Sequence, residues 1–282
     1  MKKLIQRVLI FIIGLPLVVL IVVVFPYRQY LVLNVVVIIF SALGALELRG
    51  LLAKKNLVIS TPETVILGIL GPMAALLRVS FAVPDLFPLF MMAGLSWVLI
   101  SRVFSREHAF EKALLQTTTA FSVMIYPGIF LLWIIRMALF PEAGMVILVF
   151  LLSVFANDSL AWATGMLLGR GNQGIIPASP KKSVAGFAGG FTGSILVCIG
   201  AVLCIPQAFT REDFSFFAGL ILGFGTALAA SLGDLAESVL KRSAGVKDSG
   251  IIMPGRGGVL DSVDSIALAA PVFYGLYLLL FR

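Results

Sequence analysis

The chain has 282 residues, 60% of them hydrophobic and 12% charged, and its mean hydropathy is +1.08; ordinary soluble domains carry about 25% charged residues. These values exclude a soluble globular fold. The apolar residues fall in long runs parted by short charged segments, which is the pattern of an all-α polytopic membrane protein. In a soluble chain the net charge of +7 would suggest a nucleic-acid partner, but basic residues also gather in cytoplasmic loops and meet anionic head groups, so none is expected here.

About 20 apolar residues make one crossing, and on that measure spanning helices are predicted near 8–26, 30–46, 64–77, 84–101, 113–135, 144–168, 186–206, 214–235 and 263–281, nine in all. The first run starts at Lys2, Lys3 and Arg7, is longer than a signal-peptide core and shows no small-residue cleavage site, so it reads as a retained anchor. Of the 21 Lys and Arg, 16 collect in alternate connections, leaving only Arg28, Arg78, Arg136, Arg211 and Arg282 on the other side. That alternation puts the amino terminus in the cytoplasm. Two cytoplasmic connections, 169–185 and 236–262, are longer and chemically richer than the rest. The chain therefore divides into amino-terminal helices, 1–140, and a carboxyl-terminal part, 141–282, which carries the chemistry.

Cys198 and Cys204 share one apolar run, where a thiol behaves as a small hydrophobe, so neither a disulfide framework nor a CxxC metal site is available. His108 is the single histidine; it reads as a solvated loop residue, and zinc sites needing two imidazoles are excluded. Any metal must be held by oxygen.

The stretch from Ser231 to Ser265 contains five of the 14 acids: Asp234, Glu237, Asp248, Asp261 and Asp264. If 231–242 is helical, Asp234, Glu237, Ser238 and Lys241 share one face, while Asp261 and Asp264 lie three residues apart at the start of the last run. Two carboxylate-bearing helix ends joined by a glycine-containing loop suit a hard divalent cation with positions left for phosphate. The alternative, strongest for Asp264, is that acids at a helix start merely satisfy free amides and the dipole. Asp234 and Glu237 sit at the end of an apolar helix, where the dipole disfavours them and burial is costly.

Gly255, Arg256, Gly257 and Gly258 form a turn whose amides can approach a phosphate, with Arg256 adding a fork of donors. Lys241, Arg242 and Lys247 either neutralise a polyphosphate or simply mark the cytoplasmic side. Asp158, inside an apolar run between Asn157 and Ser159, is a functional candidate by default, the alternative being an acid that reaches interfacial water. In SPKKSVAG, the residues Ser179, Lys181, Lys182 and Ser183 precede a helix start, which suits phosphate binding or basic anchoring at the membrane edge.

Together GDLAESVLKR (233–242), GVKDSG (245–250), PGRGG (254–258), LDSVDS (260–265) and SPKKSVAGFAGG (179–190) resemble the CDP-diacylglycerol synthase, or phosphatidate cytidylyltransferase, family. The motifs cover the half of the chain from Asp158 onward. The resemblance implies a magnesium-dependent enzyme of the bacterial cytoplasmic membrane, its active site facing the cytoplasm, that joins CTP to phosphatidic acid and releases pyrophosphate. The product, CDP-diacylglycerol, feeds phospholipid synthesis, and a homodimer is a family-level expectation. Carried over, Asp234, Asp261 and Asp264 would be the metal ligands, with Lys241 and Asp248 completing the catalytic set. Lys181, Lys182, Lys241, Arg242 and Lys247 would contact phosphates, with Ser179, Ser238, Gly255, Arg256, Gly257 and Gly258 beside the substrate and Asp158 and Glu237 lining the polar cavity.

Two positions depart from the family pattern: Arg256 stands where histidine is usual, and Ser262 where arginine is usual. Either Arg256 supplies the cation missing at Ser262 or the activity is altered. Val184 and Ala185 also replace a tryptophan and a glutamate that often follow SPKK. The expected chemistry is in-line attack of an already anionic lipid phosphate on the α-phosphorus of CTP, which needs positioning and charge screening more than a general base. Competing readings are another CTP-using lipid enzyme, such as a CDP-archaeol-type synthase or a polyprenol kinase, and an ion-coupled transporter with Asp158 and Asp234 as buried sites. No inverted repeat is visible to favour the transporter.

Overall fold

The computed structural model describes residues 14, 16–104, 107–209 and 215–282. Among them the chain is helical without strands, apart from isolated bridges between Gln173 and Ser183 and between Met253 and Gly257. After a helical stretch at 16–24 come α1 (Tyr27–Ala53), α2 (Thr61–Phe81), α3 (Phe87–Val103), α4 (Phe110–Met137), α5 (Ala143–Leu168), α6 (Val184–Cys204), α7 (Ser215–Ser243) and α8 (Leu260–Phe281). All but α3, which is shorter, are long and apolar enough to cross a membrane. The protein is an all-α polytopic membrane protein, and eight of the nine predicted runs correspond one to one with these helices. Of the predicted first helix, 8–26, residues 8–13 and 15 lie outside the described residues, and the described part is helical at 16–24.

Local chemistry explains where the helices differ from the apolar runs. Regular α1 begins only after Arg28, Gln29 and Tyr30, whose φ of 47°, 56° and 61° are left-handed. It continues past residue 46 because the polar residues that follow have partners: Arg49 Nε donates to Ile59 O at 2.7 Å, and Glu47 is buried. Pro127 lacks an N–H, and α4 passes through a π-turn over Met124–Ile129 around it. α7 runs through Lys241 and Arg242 to Ser243, so the connection that follows is 244–259 rather than one opening at 236.

Two compact units emerge, one comprising Met1–Arg136 with Ser243–Ser262 and the other Met137–Arg242 with Val263–Arg282. In the first, α1 and α2 meet at Gly68, where a Cβ would fall 2.6 Å from that of Ala45. The Ser41 hydroxyl lies 2.7 Å from the carbonyls of both Gly68 and Pro127, tying α1, α2 and the π-turn together. Arg102 of α3 pairs with Glu63 of α2 at 2.6 Å.

In the second unit, small residues set the helix spacing. Lipid offers no hydrophobic drive for helices to associate, so close backbone approach supplies the packing energy. Gly186, Gly190 and Gly193 of α6 face Ala161, Asn157 and Ala156 of α5, and Gly223 of α7 sits where a Cβ would be 2.5 Å from Ile195 Cα. Gly233 brings α7 against α8, since a Cβ there would stand 2.4 Å from the carbonyl of Asp264. At the far end Phe209, Phe273 and Phe281 surround Tyr277, whose hydroxyl donates to Ala208 O at 2.6 Å.

Gly223→Val forces a side chain into the Ile195 backbone and is expected to cost about 1–3 kcal/mol. Gly200→Ala, which meets nothing within 4 Å, is expected to leave stability within about 0.5 kcal/mol of the parent. Thermal unfolding in detergent micelles distinguishes the pair, and equal midpoints would contradict the packing account.

Candidate active site

The last turns of α7 present Asp234, Glu237, Ser238 and Lys241 on one face, as their spacing requires. Glu237 is fully buried, and Lys241 Nζ donates to its Oε2 one turn away. Lys182, just before α6, pairs through Nζ with Asp234 Oδ2 at 2.7 Å and also lies 5.6 Å over the ring of Phe187. Ser238 Oγ reaches Asp234 Oδ1 only at 3.5 Å. On α5, Asp158 Oδ1 lies 3.3 Å from the amide of Asn157 and 3.4 Å from the hydroxyl of Ser265. On α8, Asp264 Oδ1 accepts the N–H of Ser265 at 2.6 Å.

Asp264 feels the charges of Asp234, Glu237 and Asp158, so four carboxylates gather in this unit around two paired lysines. At an effective dielectric of about 20, two like charges about 6 Å apart repel by about 3 kcal/mol. Such a cluster favours an additional cation. Among the described residues no three His, Cys, Asp or Glu side chains converge closely enough to enclose a metal by themselves. An oxygen-only donor set of that kind fits magnesium, which takes one or two carboxylates and completes its shell with water and phosphate oxygens.

In the first unit, the connection 244–259 folds about two other carboxylates. Asp261 Oδ2 accepts the N–H of Ser249 at 2.7 Å, the Ser249 hydroxyl at 2.8 Å and the N–H of Gly258 at 2.7 Å. Glu47, from the end of α1, accepts the N–H of Val259 at 2.9 Å, the N–H of Leu260 at 2.8 Å and the Ser249 hydroxyl at 3.0 Å. Gly257 adopts φ +111°, and a Cβ there would lie 2.8 Å from Asp261 Oδ2 and from Asp248 Cβ. The glycines of GRGG therefore make room for carboxylates. The Gly257 amide donates to Met253 O at 2.9 Å and that of Gly258 to Asp261, so both are engaged inside the loop.

The remaining predicted residues stand as follows. Gly255 carries φ +74°. Arg256 is half-buried and enters no ion pair among the described residues, while Ser262 Oγ donates to Gly258 O at 3.0 Å. Asp248, Lys247, Arg242 and Lys181 are exposed. Ser179 accepts the N–H of Lys182 on its carbonyl at 3.0 Å, and Ser183 caps α6 by accepting the N–H of Gly186 at 3.0 Å. Asp158, Lys182, Asp234, Glu237, Lys241 and Asp264 are thus brought together in the second unit, and Asp248, Gly257, Gly258 and Asp261 in the first.

Sequence reasoning missed Glu47 and Ser249. An acid closing an apolar run is a signal for a membrane-buried ionisable group, but a helix end at 46 puts Glu47 in a loop beside Arg49, Lys54 and Lys55, where an acid reads as solvated.

The sequence model of the cytidylyltransferase family matches residues 5–280. A phosphatidate cytidylyltransferase of Helicobacter pylori is 36% identical over 217 residues, covering 71% of this chain and 75% of that protein. Those of Thermotoga maritima and Synechocystis are 37% and 38% identical over 161 and 141 residues, covering 56% and 50% of this chain. Against these two the chain spans about half their length, 58% and 46% respectively.

Lys241→Met leaves the Glu237 carboxylate buried without its ammonium, and breaking a buried pair costs about 3–5 kcal/mol. Adding Glu237→Gln is expected to recover most of that loss. Denaturant titration in micelles checks both variants, and equal stability of Lys241→Met and the parent would show that the pair carries no buried-charge cost.

Proposed function

Because the chain belongs to the cytidylyltransferase family, we propose that it transfers the cytidylyl group of CTP to phosphatidic acid, giving CDP-diacylglycerol and pyrophosphate. The observation that carries this reading is the grouping of Asp158, Asp234, Glu237 and Asp264 with Lys182 and Lys241, together with the names of the relatives. Neither a transporter nor a polyprenol kinase accounts for both.

Asp234 and Asp264 are the carboxylates we assign to magnesium, which when bound would screen the triphosphate charge and favour attack at the α-phosphorus. Asp261 has its Oδ2 committed to the loop, and we assign it the task of shaping 249–260 in place of the ligand role that the resemblance implies. A triphosphate competes with Asp234 and Glu237 for the ammonium groups of Lys182 and Lys241, so binding exchanges an internal ion pair for a phosphate contact. The lipid phosphate is anionic and needs no general base, in keeping with a cluster that holds neither histidine nor cysteine. Its acyl chains stay in the bilayer beside the exposed apolar side chains of α5, among them Leu160, Trp162 and Met166. The alternation of basic residues supports a cytoplasmic-membrane enzyme with this chemistry on the cytoplasmic side. Homodimerisation is part of the same proposal.

The decisive assay is pyrophosphate release by purified protein in micelles with CTP and magnesium, comparing phosphatidic acid, diacylglycerol and no lipid. Release is expected only with phosphatidic acid, and is expected to vanish on chelation of the metal; silence in a folded, lipid-supplied sample overturns the proposal. Asp264→Asn is expected to lower kcat by about 100-fold or more without loss of folding. Asp261→Asn is expected to abolish turnover, and near-parental activity would remove Asp261 from the site.

A further inference from the structure

Glu47 belongs to none of the motifs, yet more of the 244–259 connection converges on it than on any acid except Asp261. It is buried, at 8% exposure, and its oxygens accept Val259 N–H, Leu260 N–H and the Ser249 hydroxyl. Gly250 and Gly258 have no room for a Cβ beside it, since one at either position would stand 2.3 Å from a Glu47 oxygen. Val259 and Leu260 carry amides at the start of α8 that no turn of that helix can satisfy. Glu47 therefore caps α8 from another helix, across sequence separations of 212 and 213 residues, where a local serine or aspartate ordinarily would.

The Ser249 hydroxyl links this cap to Asp261. It lies 3.0 Å from Glu47 Oε2 and 2.8 Å from Asp261 Oδ2, and its single proton serves only one of them at a time. Both carboxylates stay satisfied because each also takes two backbone amides: Val259 and Leu260 for Glu47, Ser249 and Gly258 for Asp261. Shifting Glu47 therefore changes the loop that Asp261 holds.

We propose that Glu47 is a positioning residue for the reaction: its carboxylate, through Ser249 and the first amides of α8, holds segment 249–260 and Asp261 in the geometry that turnover uses. This rests on the cytidylyltransferase reading. Glu47 is not a substrate ligand, because it is buried and both its oxygens are engaged by the loop.

Glu47→Gln keeps the size but turns an NH2 toward one of the loop donors. It is expected to lower kcat about 10- to 100-fold, the range seen when the support behind a reacting group is lost, while KM for CTP stays within about threefold. Hydrogen exchange in micelles is expected to quicken about tenfold or more over 249–260 and to stay at parental rates in α2 and α5. Ser249→Ala, which leaves both carboxylates their backbone amides, is expected to shift the same segment in the same direction. The double variant is expected to be no slower than Glu47→Gln alone, as coupled residues are not additive.

Unchanged exchange over 249–260 in folded Glu47→Gln, or in Ser249→Ala should the first variant not fold, overturns the proposal. So does parental kcat, or strict additivity in the double variant. If the parent itself releases no pyrophosphate with phosphatidic acid, the functional reading fails, while the exchange arm, which needs no turnover, still decides whether Glu47 holds the loop.

Discussion

A carboxylate among apolar helices has to be met by donors or by a cation, and the arrangement of this protein's polar residues follows from that requirement. Desolvating an ion costs several kcal/mol, comparable with the whole stability margin of an ordinary domain. Each buried acid must therefore have its compensation close by. Glu63 has Arg102 and Glu237 has Lys241, and the partly exposed Asp234 has Lys182. Glu47 is met by backbone amides and a hydroxyl instead.

The two units solve this differently. In the first, carboxylates organise backbone, as Glu47 and Asp261 draw in the amides of Ser249, Gly258, Val259 and Leu260 and so fold an otherwise irregular connection. The start of α8, which by its dipole would attract an anion, already has the Glu47 carboxylate on the amides of Val259 and Leu260. In the second, carboxylates crowd one another because the small residues of α6 and α7 let the helices come close, as Gly233 does against the Asp264 carbonyl. Acids brought together faster than lysines can pair them leave a surplus of negative charge. Under the proposed function, a divalent cation would offset part of the acidic surplus that Lys182 and Lys241 leave.

This division also bears on the two departures from the family pattern. Ser262 hydrogen-bonds within its own turn, to the carbonyl of Gly258, so the position serves local structure in this chain. Arg256 sits half-buried on the same loop with no carboxylate partner among the described residues. A guanidinium there, on a turn stapled by Met253 and Gly257, is a cation whose ion-pairing capacity the loop does not use.

Most of the architecture was legible in the sequence. Apolar runs of spanning length, parted by charge, leave little choice but helices in a bilayer, and the i, i+3, i+4, i+7 spacing of Asp234, Glu237, Ser238 and Lys241 places them on one face of any helix that forms there. What the tertiary structure decided were the pairings between residues far apart in the chain: Lys182 with Asp234, Asp158 with Ser265, and above all Glu47 with the start of α8. Periodicity reports only which way a side chain faces on its own element. Which amide a carboxylate meets depends on how closely two backbones approach, and that is set by glycines such as Gly233, Gly250 and Gly258, whose significance appears only once their neighbours are known.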